Sequence, residues 1–319
     1  MISQIDIEQK LLDVIQLDKY VKEISDHLKK ATFLTINYKD IDRWVASFFA
    51  GSENTLEVLL VRAFVVSQFK ALDPERKFKE LPEEKEFLKT TRTEEALKYV
   101  KQRGAYAIQQ ATDATKMKTK EIIYRDLNDG LGWRSIARNM QLEIKEEGEL
   151  QRYWQRVATS EVASALNNGY LATKDIGTFV IGQGYDDACS YCKDLVIGKV
   201  YKIGEKPETN FEDLDPTSKE YKQLVKYYED YVWIGKDNVG RTGSKNKRNE
   251  DGSTTVRLRH ELYFPTAPIH PNCRCLWVSF DPDLLYANDK GNFIPKSKDP
   301  EKWKEWHQKN IKDRYERGQ

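Results

Sequence analysis

The sequence predicts an α+β protein with a mainly helical N-terminal two-thirds, a small metal-stapled antiparallel β cap and a helical C-terminal tail. Three observations lead to this class. Apolar residues recur at helical spacing up to about residue 180. After Gly177 the chain changes to short β-prone runs separated by glycine. All four cysteines of the 319 residues lie in this second part, in two half-sites.

Composition narrows the class of protein further. The residues are 39 % hydrophobic and 32 % charged, which suits two domains with an extensive charged surface. The net charge of +1 provides no overall field toward nucleic acid or an anionic membrane. The most apolar stretch, 58–66, contains Arg62 and is too short to span a bilayer, which favours a buried helix in a soluble protein. The first residues do not read as a signal peptide, so we expect a reducing compartment.

Residues 1–90 form the first predicted region, which is helical. Its first apolar residues recur at mixed spacings of three and four, as a helix requires. They are Leu11, Leu12, Val14, Ile15, Leu17, Tyr20, Val21 and Ile24. Residues 55–72 make a second apolar helix that Asp73 and Pro74 end. The charged connector 73–93 has little to bury, so we place a domain boundary near residue 90.

Helices are also predicted over residues 91–176. Thr93 caps a long helix that runs to about Leu127, where the Asn-Asp-Gly sequence at 128–130 ends it. A short helix follows at 132–140, and the turn between these two is a packing corner because no basic recognition face accompanies it. A further helix at 150–176 points five residues inward. They are Tyr153, Val157, Val162, Leu166 and Tyr170.

The β cap is predicted over residues 177–282. Its strands are 178–181, 198–203, 254–258 and 276–280. Cys189 follows the first strand and Cys273 precedes the last one. A metal there would hold loops that so small a sheet cannot hold by itself.

The cysteine half-sites carry the clearest chemistry in the chain. Cys189 and Cys192 form a Cys-x-x-Cys pair, and His270, Cys273 and Cys275 follow in one later segment. Two such half-sites can complete a tetrahedral zinc shell, so we predict a structural zinc site with five candidate ligands for four positions. The alternatives are a disulfide, a redox pair or idle thiols.

A catalytic zinc is a further alternative. It would need an open coordination position beside an acid or base, for which His260 and Glu261 are the nearest pair. Together with His270 they would make a zinc-dependent nuclease. No other acid–base constellation, phosphate-binding loop or nucleophile motif is visible, which favours a protein that is not an enzyme.

Two later segments have candidate partners. Residues 236–259 hold seven basic residues against three acidic ones and read as a flexible loop, either solvated or in contact with phosphate. In the tail 283–319, Trp303 and Trp306 lie on one face of a charged helix that begins after Pro300. We expect these rings to dock on a partner, and the alternative is that they pack on the protein's own body.

Four segments together resemble the phage Mu F-like minor head proteins, the head morphogenesis family. They are Gly-Leu-Gly-Trp-Arg-Ser-Ile-Ala at 130–137, Arg-Val-Ala-Thr-Ser-Glu at 156–161, Asp-Ala-Cys-Ser-Tyr-Cys at 187–192 and Ala-Pro-Ile-His-Pro-Asn-Cys-Arg-Cys at 267–275. The resemblance covers roughly residues 95–282, so 91–282 is the expected family domain. The last segment is distinctive and the helical part is generic. In the family an arginine usually follows the alanine that is Ala158 here, and the insertion at 203–266 is unusually long.

The resemblance implies a role in the assembly of a tailed-phage head. The protein would be a minor capsid component, associated with the portal protein and other capsid components during assembly in the host cytoplasm. It would then lie inside the capsid near the portal, beside packaged DNA that residues 236–259 can contact, and it can leave with the genome. The competing classes are the zinc-dependent nuclease and a DNA-binding accessory module that uses the basic loop.

Overall fold

The computed structural model describes residues 3–30, 38–50, 52–146, 149–185, 187–210, 213–288 and 292–316. Its α-helices are α1 (Gln4–Ile15), α2 (Leu17–Lys30), α3 (Tyr38–Phe49), α4 (Ser52–Leu72), α5 (Thr91–Asn128), α6 (Trp133–Met140), α7 (Glu149–Ala172), α8 (Ser190–Leu195), α9 (Lys219–Asp230) and α10 (Pro300–His307). The strands are β1 (Phe179–Gln183), β2 (Val200–Ile203), β3 (Tyr231–Val232), β4 (Asn246–Arg248), β5 (Thr254–Val256), β6 (Leu276–Ser279), β7 (Leu285–Ala287) and β8 (Phe293–Pro295). Helix accounts for about 60 % of the chain, which confirms the predicted mainly helical architecture. Among the described residues, no helix is long and apolar enough to cross a membrane.

Helix α4 lies at the centre of the helical part. Six of its residues between 60 and 66 are almost fully buried, so it is apolar around its whole circumference and needs neighbours on every side. Helices α5 and α7 pack against it. A side chain at Gly169 of α7 would collide with Ser67 Oγ at 2.1 Å and with the Phe64 carbonyl oxygen at 2.5 Å. Glycine there allows the backbones of α4 and α7 to approach closely.

The predicted boundary near residue 90 falls within one hydrophobic cluster. Buried residues from α1 to α4 and from α5 to α7 belong to the same cluster. Division of the chain into domains at that point stays a prediction.

Helix boundaries follow local chemistry. The N-cap of α5 is Thr90, whose hydroxyl accepts a hydrogen bond from the Thr93 amide, so the predicted cap at Thr93 lies one turn inside the helix. The helix ends as predicted before Gly130, which has a left-handed φ of 69°. The first predicted helix is in fact two helices. Gln16 separates α1 from α2 with a φ of 44°, a left-handed conformation that is uncommon for glutamine and could not be predicted from the residue type.

The cap contains a mixed four-stranded sheet with the order β3-β2-β1-β6. Strand β1 is antiparallel to both β2 and β6, whereas β2 and β3 are parallel. The prediction of a wholly antiparallel cap is therefore wrong. The reason is that α9 lies between β2 and β3 in the chain. It returns the chain to the end of the sheet at which β2 began, so β3 runs in the same direction as β2.

The predicted strand at 254–258 does not join this sheet. Its residues form β5, which pairs only with β4 in a separate hairpin, and every residue of the two strands is exposed. A second hairpin, β7–β8, lies in the segment that was expected to be tail.

Helix α7 covers the outer edge of β6. The Asn167 side chain donates to the Cys275 carbonyl at 2.9 Å and accepts from the Trp277 amide at 2.8 Å. One turn later, the Tyr170 hydroxyl accepts a hydrogen bond from the Ser279 amide. The edge groups of β6 are thus bonded to helix side chains, which protects the edge from pairing with another chain and places α7 beside the cysteine segment.

The C-terminal segment packs on the chain's own cap. Trp306 contacts Phe280 with ring centroids 5.5 Å apart, and Trp303 Nε1 donates to the Pro282 carbonyl at 2.8 Å. Farther along, Ile311 and Tyr315 are buried. The helical tail is confirmed, and the sheet and its following loop cover part of both tryptophans. Docking of this segment on a partner stays a prediction.

Candidate metal centre

The candidate metal centre forms where two neighbouring strands meet their loops. Strands β1 and β6 pair with Gln183 opposite Leu276. The chain that leaves β1 leads to Cys189 and Cys192 at the start of α8, and Cys275 directly precedes Leu276. Strand pairing therefore brings together half-sites whose Cys189 and His270 are 81 residues apart in sequence.

The ligand atoms of the two half-sites are close together. Cys192 Sγ lies 3.7 Å from Cys189 Sγ and 3.6 Å from Cys273 Sγ. Nε2 of His270 lies 2.9 Å from Cys189 Sγ and 3.4 Å from Cys192 Sγ. Two sulfurs bound to one tetrahedral zinc are about 3.8 Å apart, because each Zn–S bond is about 2.3 Å long. All four cysteines are free thiols. Their spacing is that of metal ligands rather than of a disulfide, in which the sulfurs are about 2 Å apart.

The five predicted donors form two overlapping groups. Cys189, Cys192 and His270 make one group, and Cys192, Cys273 and Cys275 make the other. Within each group all ligand atoms lie within 4.8 Å of one another. The cluster can therefore hold a metal ion, and Cys192 belongs to both groups. Except for the exposed Cys189 and the half-buried His270, the donors are buried.

The tautomer of His270 is set by its own loop. Nδ1 lies 2.7 Å from the Pro271 carbonyl oxygen, which can only accept a hydrogen bond. Nδ1 is therefore the protonated nitrogen, and in the neutral ring Nε2 presents a lone pair to the sulfurs. A carbonyl bonded to the distal nitrogen is the usual support of a metal-binding histidine.

A tight turn presents Cys273 to the cluster. Asn272 has a left-handed φ of 65°, and the Cys273 amide donates to the His270 carbonyl at 3.1 Å. The Cys275 amide then points at Cys273 Sγ from 3.4 Å. This amide-to-sulfur contact favours a thiolate at Cys273.

The pKa values of the four thiols are shifted in different directions, so some sulfurs donate hydrogen bonds as thiols and others accept them as thiolates. Hydrogen bonding by the Cys192 thiol is the main cause that lowers the pKa of Cys273, and the same contact raises the pKa of Cys192. Burial raises the pKa of Cys189, but hydrogen bonds to its sulfur, the strongest from the Cys192 amide, outweigh burial and lower that pKa. The cluster thus stabilises negative charge on sulfur, as binding of a cation requires.

Cys275 is a buried donor at the entry to β6. It is 2 % exposed and its Sγ lies 3.4 Å from the position that a Cβ on Gly184 would occupy. Its carbonyl is bonded to Asn167, which fixes the backbone at the entry to β6.

The cysteine loop is bonded directly to the helical part. The Asn272 amide donates to Ser160 Oγ of α7 at 3.0 Å. The Arg274 guanidinium binds both carboxylate oxygens of Glu8 in α1, with a shortest distance of 2.7 Å, and Thr159 donates to the same carboxylate at 3.2 Å. Glu8 is only 4 % exposed. The centre therefore joins the cap to two helices of the bundle.

Sequence reasoning missed these anchoring residues. Glu8 lies on the apolar face of α1, and apart from Gln4 in the preceding turn, which donates to it at 2.9 Å, its partners are distant in the sequence. The polar Thr-Ser-Glu triplet at 159–161, inside a buried stretch of α7, was the available signal.

Glu161 completes the triplet with a different contact. It is buried, and both of its carboxylate oxygens accept hydrogen bonds from Arg103 of α5, at 2.8 and 3.2 Å. Arg103 also donates to Asp237 at 3.0 Å. An arginine of another helix therefore pairs with this glutamate, at a point where the resembling family has an arginine within the same helix segment.

The residues expected for a catalytic zinc lie apart from the cysteines. His260 faces Tyr221, whose hydroxyl lies 3.3 Å from Nδ1. Glu261 accepts a hydrogen bond from the Leu258 amide at 2.7 Å. Among the described residues, neither belongs to a group of donors that can hold a metal. The structure thus does not bring together the trio that would make the nuclease site.

Residues 236–259 are not a flexible loop throughout. Lys236 is buried and donates to the Tyr228 and Tyr231 carbonyls, while Arg241 donates to the His260 carbonyl. Arg259 binds Glu229 at 2.6 Å, and Arg257 lies 3.6 Å from Glu261. The other three cations are exposed on the β4–β5 hairpin. They are Lys245, Lys247 and Arg248.

Comparison with known proteins yields no matching family model, no matching curated protein and no matching solved structure.

Proposed function

We propose that Cys189, Cys192, His270 and Cys273 bind one zinc ion as a closed structural site. Three thiolates and an imidazole are a donor set that zinc prefers, and four protein ligands leave no open position for catalysis. The observation that carries this assignment is the lone pair of His270 Nε2, which its contact with Pro271 directs at the sulfurs of Cys189 and Cys192. Cys275 is the fifth donor, and it groups with Cys192 and Cys273.

Bound zinc would staple the cap to the helices. The sheet has short strands, and its cysteine loop reaches α1 and α7 through the contacts of Asn272, Arg274 and the Cys275 carbonyl. Because a structural metal converts binding free energy into folding free energy, the ion would stabilise this junction as well as the loop. A zinc ion in this position would have a structural role rather than a catalytic one.

The role proposed for the whole protein is that of a non-enzymatic minor head protein of a tailed phage, of the Mu F-like family. It would assemble in the host cytoplasm with the portal protein and capsid components, and remain in the capsid interior near the portal. Support comes from the convergence of the resembling segments: the helix triplet at 159–161 and the loop at 267–275 contact each other through Ser160 and Asn272. Contact of packaged DNA with residues 236–259, and ejection with the genome, are predictions of the same proposal.

Metal content tests the site. We expect one zinc per purified chain, and its loss in Cys189→Ser with a fall in cap stability of about several kcal/mol. Cys275→Ser is the matched control and should keep the ion. An ordered cap in a chain without any metal would refute the staple, and loss of zinc in Cys275→Ser but not in His270→Ala would refute the ligand set.

Co-purification tests the role. The tagged chain should capture the portal protein that is encoded with it and should be found in purified heads at low copy number. Metal-dependent DNA cleavage by the purified chain, abolished by His270→Ala, would instead identify an enzyme.

A further inference from the structure

The β4–β5 hairpin is the most exposed regular structure in the described chain. All six residues of its strands are exposed, and Val256 and Leu258 are 79 % and 48 % exposed. Neither face of the hairpin packs on a core. A two-stranded hairpin of this kind is marginally stable in water, so burial of one face or edge by a partner would stabilise it.

The β4–β5 hairpin and its flanking residues are mainly positively charged. Lys245, Lys247, Arg248 and Arg257 are set against Glu250 and Asp251 at the turn. The strand register places Lys245 opposite Arg257, since the Arg257 amide donates to the Lys245 carbonyl. Side chains on one face alternate along a strand, so Lys247 shares that face. Like charges in such positions repel each other, which an anionic partner would relieve.

One edge of the hairpin is open for strand pairing. Hydrogen bonds join Asn249 to Ser253 and Arg257 to Lys245. Bonded pairs alternate with non-bonded pairs in an antiparallel ladder, so the amides and carbonyls of Thr254 and Val256 point outward from β5. Within the described residues no group bonds to them. On the β4 edge, by contrast, the Asn246 carbonyl already accepts a hydrogen bond from Ser244.

From these observations we propose that the outer edge of β5 binds an extended acidic segment of a partner protein by strand addition. The open amides supply the main-chain bonds, Val256 and Leu258 supply apolar contacts, and the cations pair with acidic side chains of the added strand. The exposed valine and leucine favour protein over nucleic acid, as do the carboxylates of Glu250 and Asp251 at the tip, which phosphate would repel. This inference adds a docking surface to the proposed function. It rests on the proposed function only in taking the partner to be a component of the phage head.

A labelled peptide of alternating valine and glutamate is the probe, with binding to the full chain measured by fluorescence anisotropy at low salt. We expect saturable binding that weakens as salt rises. Val256→Pro removes an outward amide without breaking a bond inside the hairpin and should weaken binding about tenfold. Val256→Thr keeps that amide and should bind within about twofold of the parent. Thr254→Pro tests the same edge at a second position in case one proline variant folds poorly.

Charge reversal provides the second arm of the test. Lys245→Glu, Lys247→Glu and Arg248→Glu combined should weaken binding about tenfold or more. Lys304→Glu, Lys309→Glu and Lys312→Glu, on the exposed side of the C-terminal segment, change the net charge equally and should not. Absence of binding, or binding that survives both proline variants, would overturn the proposal. A different contrary outcome is that duplex DNA binds more tightly than the peptide, with binding that the charge reversal abolishes and the proline variants leave intact. That result would make the hairpin a nucleic-acid-binding element. Zinc content and capture of the portal protein are measured on the parent chain, so a failure of this proposal is distinguishable from a failure of the proposed function.

Discussion

At the scale of residues, one face of α7 organises the junction of cap and bundle. Thr159 contacts Glu8, Ser160 holds the Asn272 amide and Asn167 bonds two backbone groups at the start of β6. The cysteine pattern predicted which donors come together, because metal half-sites are local in sequence. Their anchors were not predictable, because Glu8 and Arg274 are 266 residues apart and only the complete fold joins them.

Asn167 provides a test at this scale. Asn167→Leu removes three hydrogen bonds and leaves the Cys275 carbonyl and the Trp277 amide buried without partners. We expect the free energy of unfolding to fall by about 2 kcal/mol or more. Gln155→Leu, at an exposed position of the same helix, should change it by no more than about 0.5 kcal/mol. Equal effects of the two substitutions in chemical denaturation would argue against this clamp.

At the scale of elements, long helices and apolar strands were predictable and short strands were not. Residues 91–128 show a sustained helical period with caps at both ends, and β1, β2 and β6 are runs of β-prone residues. Strands β3, β7 and β8 have only two or three residues, too few for alternation to be visible. The break at Gln16 had no glycine or proline to mark it. The tail helix was predicted, but its covering was not, since sequence alone cannot tell a partner's surface from the chain's own.

Trp306 tests how the tail is held. Trp306→Ala removes the contact with Phe280 and should lower the free energy of unfolding by about 2 kcal/mol, less than for a fully buried ring because Trp306 is only partly buried. Lys304→Ala, exposed on the same helix, is the control and should have almost no effect. An unchanged melting temperature together with poor incorporation into heads would show instead that a partner covers this ring.

At the scale of the whole molecule, a helical bundle and a small cap meet at the candidate metal centre. The bundle has a large hydrophobic cluster of its own, whereas the cap depends on a smaller cluster that includes Cys192, Cys273 and Cys275. The two parts should therefore respond differently to loss of metal. Stability need not be uniform across a chain, and exchange of backbone amides reports it segment by segment.

Hydrogen exchange before and after removal of metal by a chelator tests this central claim most directly. We predict that amides of β1, β2 and β6 and of the segment 267–275 lose protection by about a hundredfold or more, while those of α4 and α5 keep theirs. Restoring zinc should restore the protection of the cap. Unchanged protection of the cap in a chain proven free of metal would contradict the account.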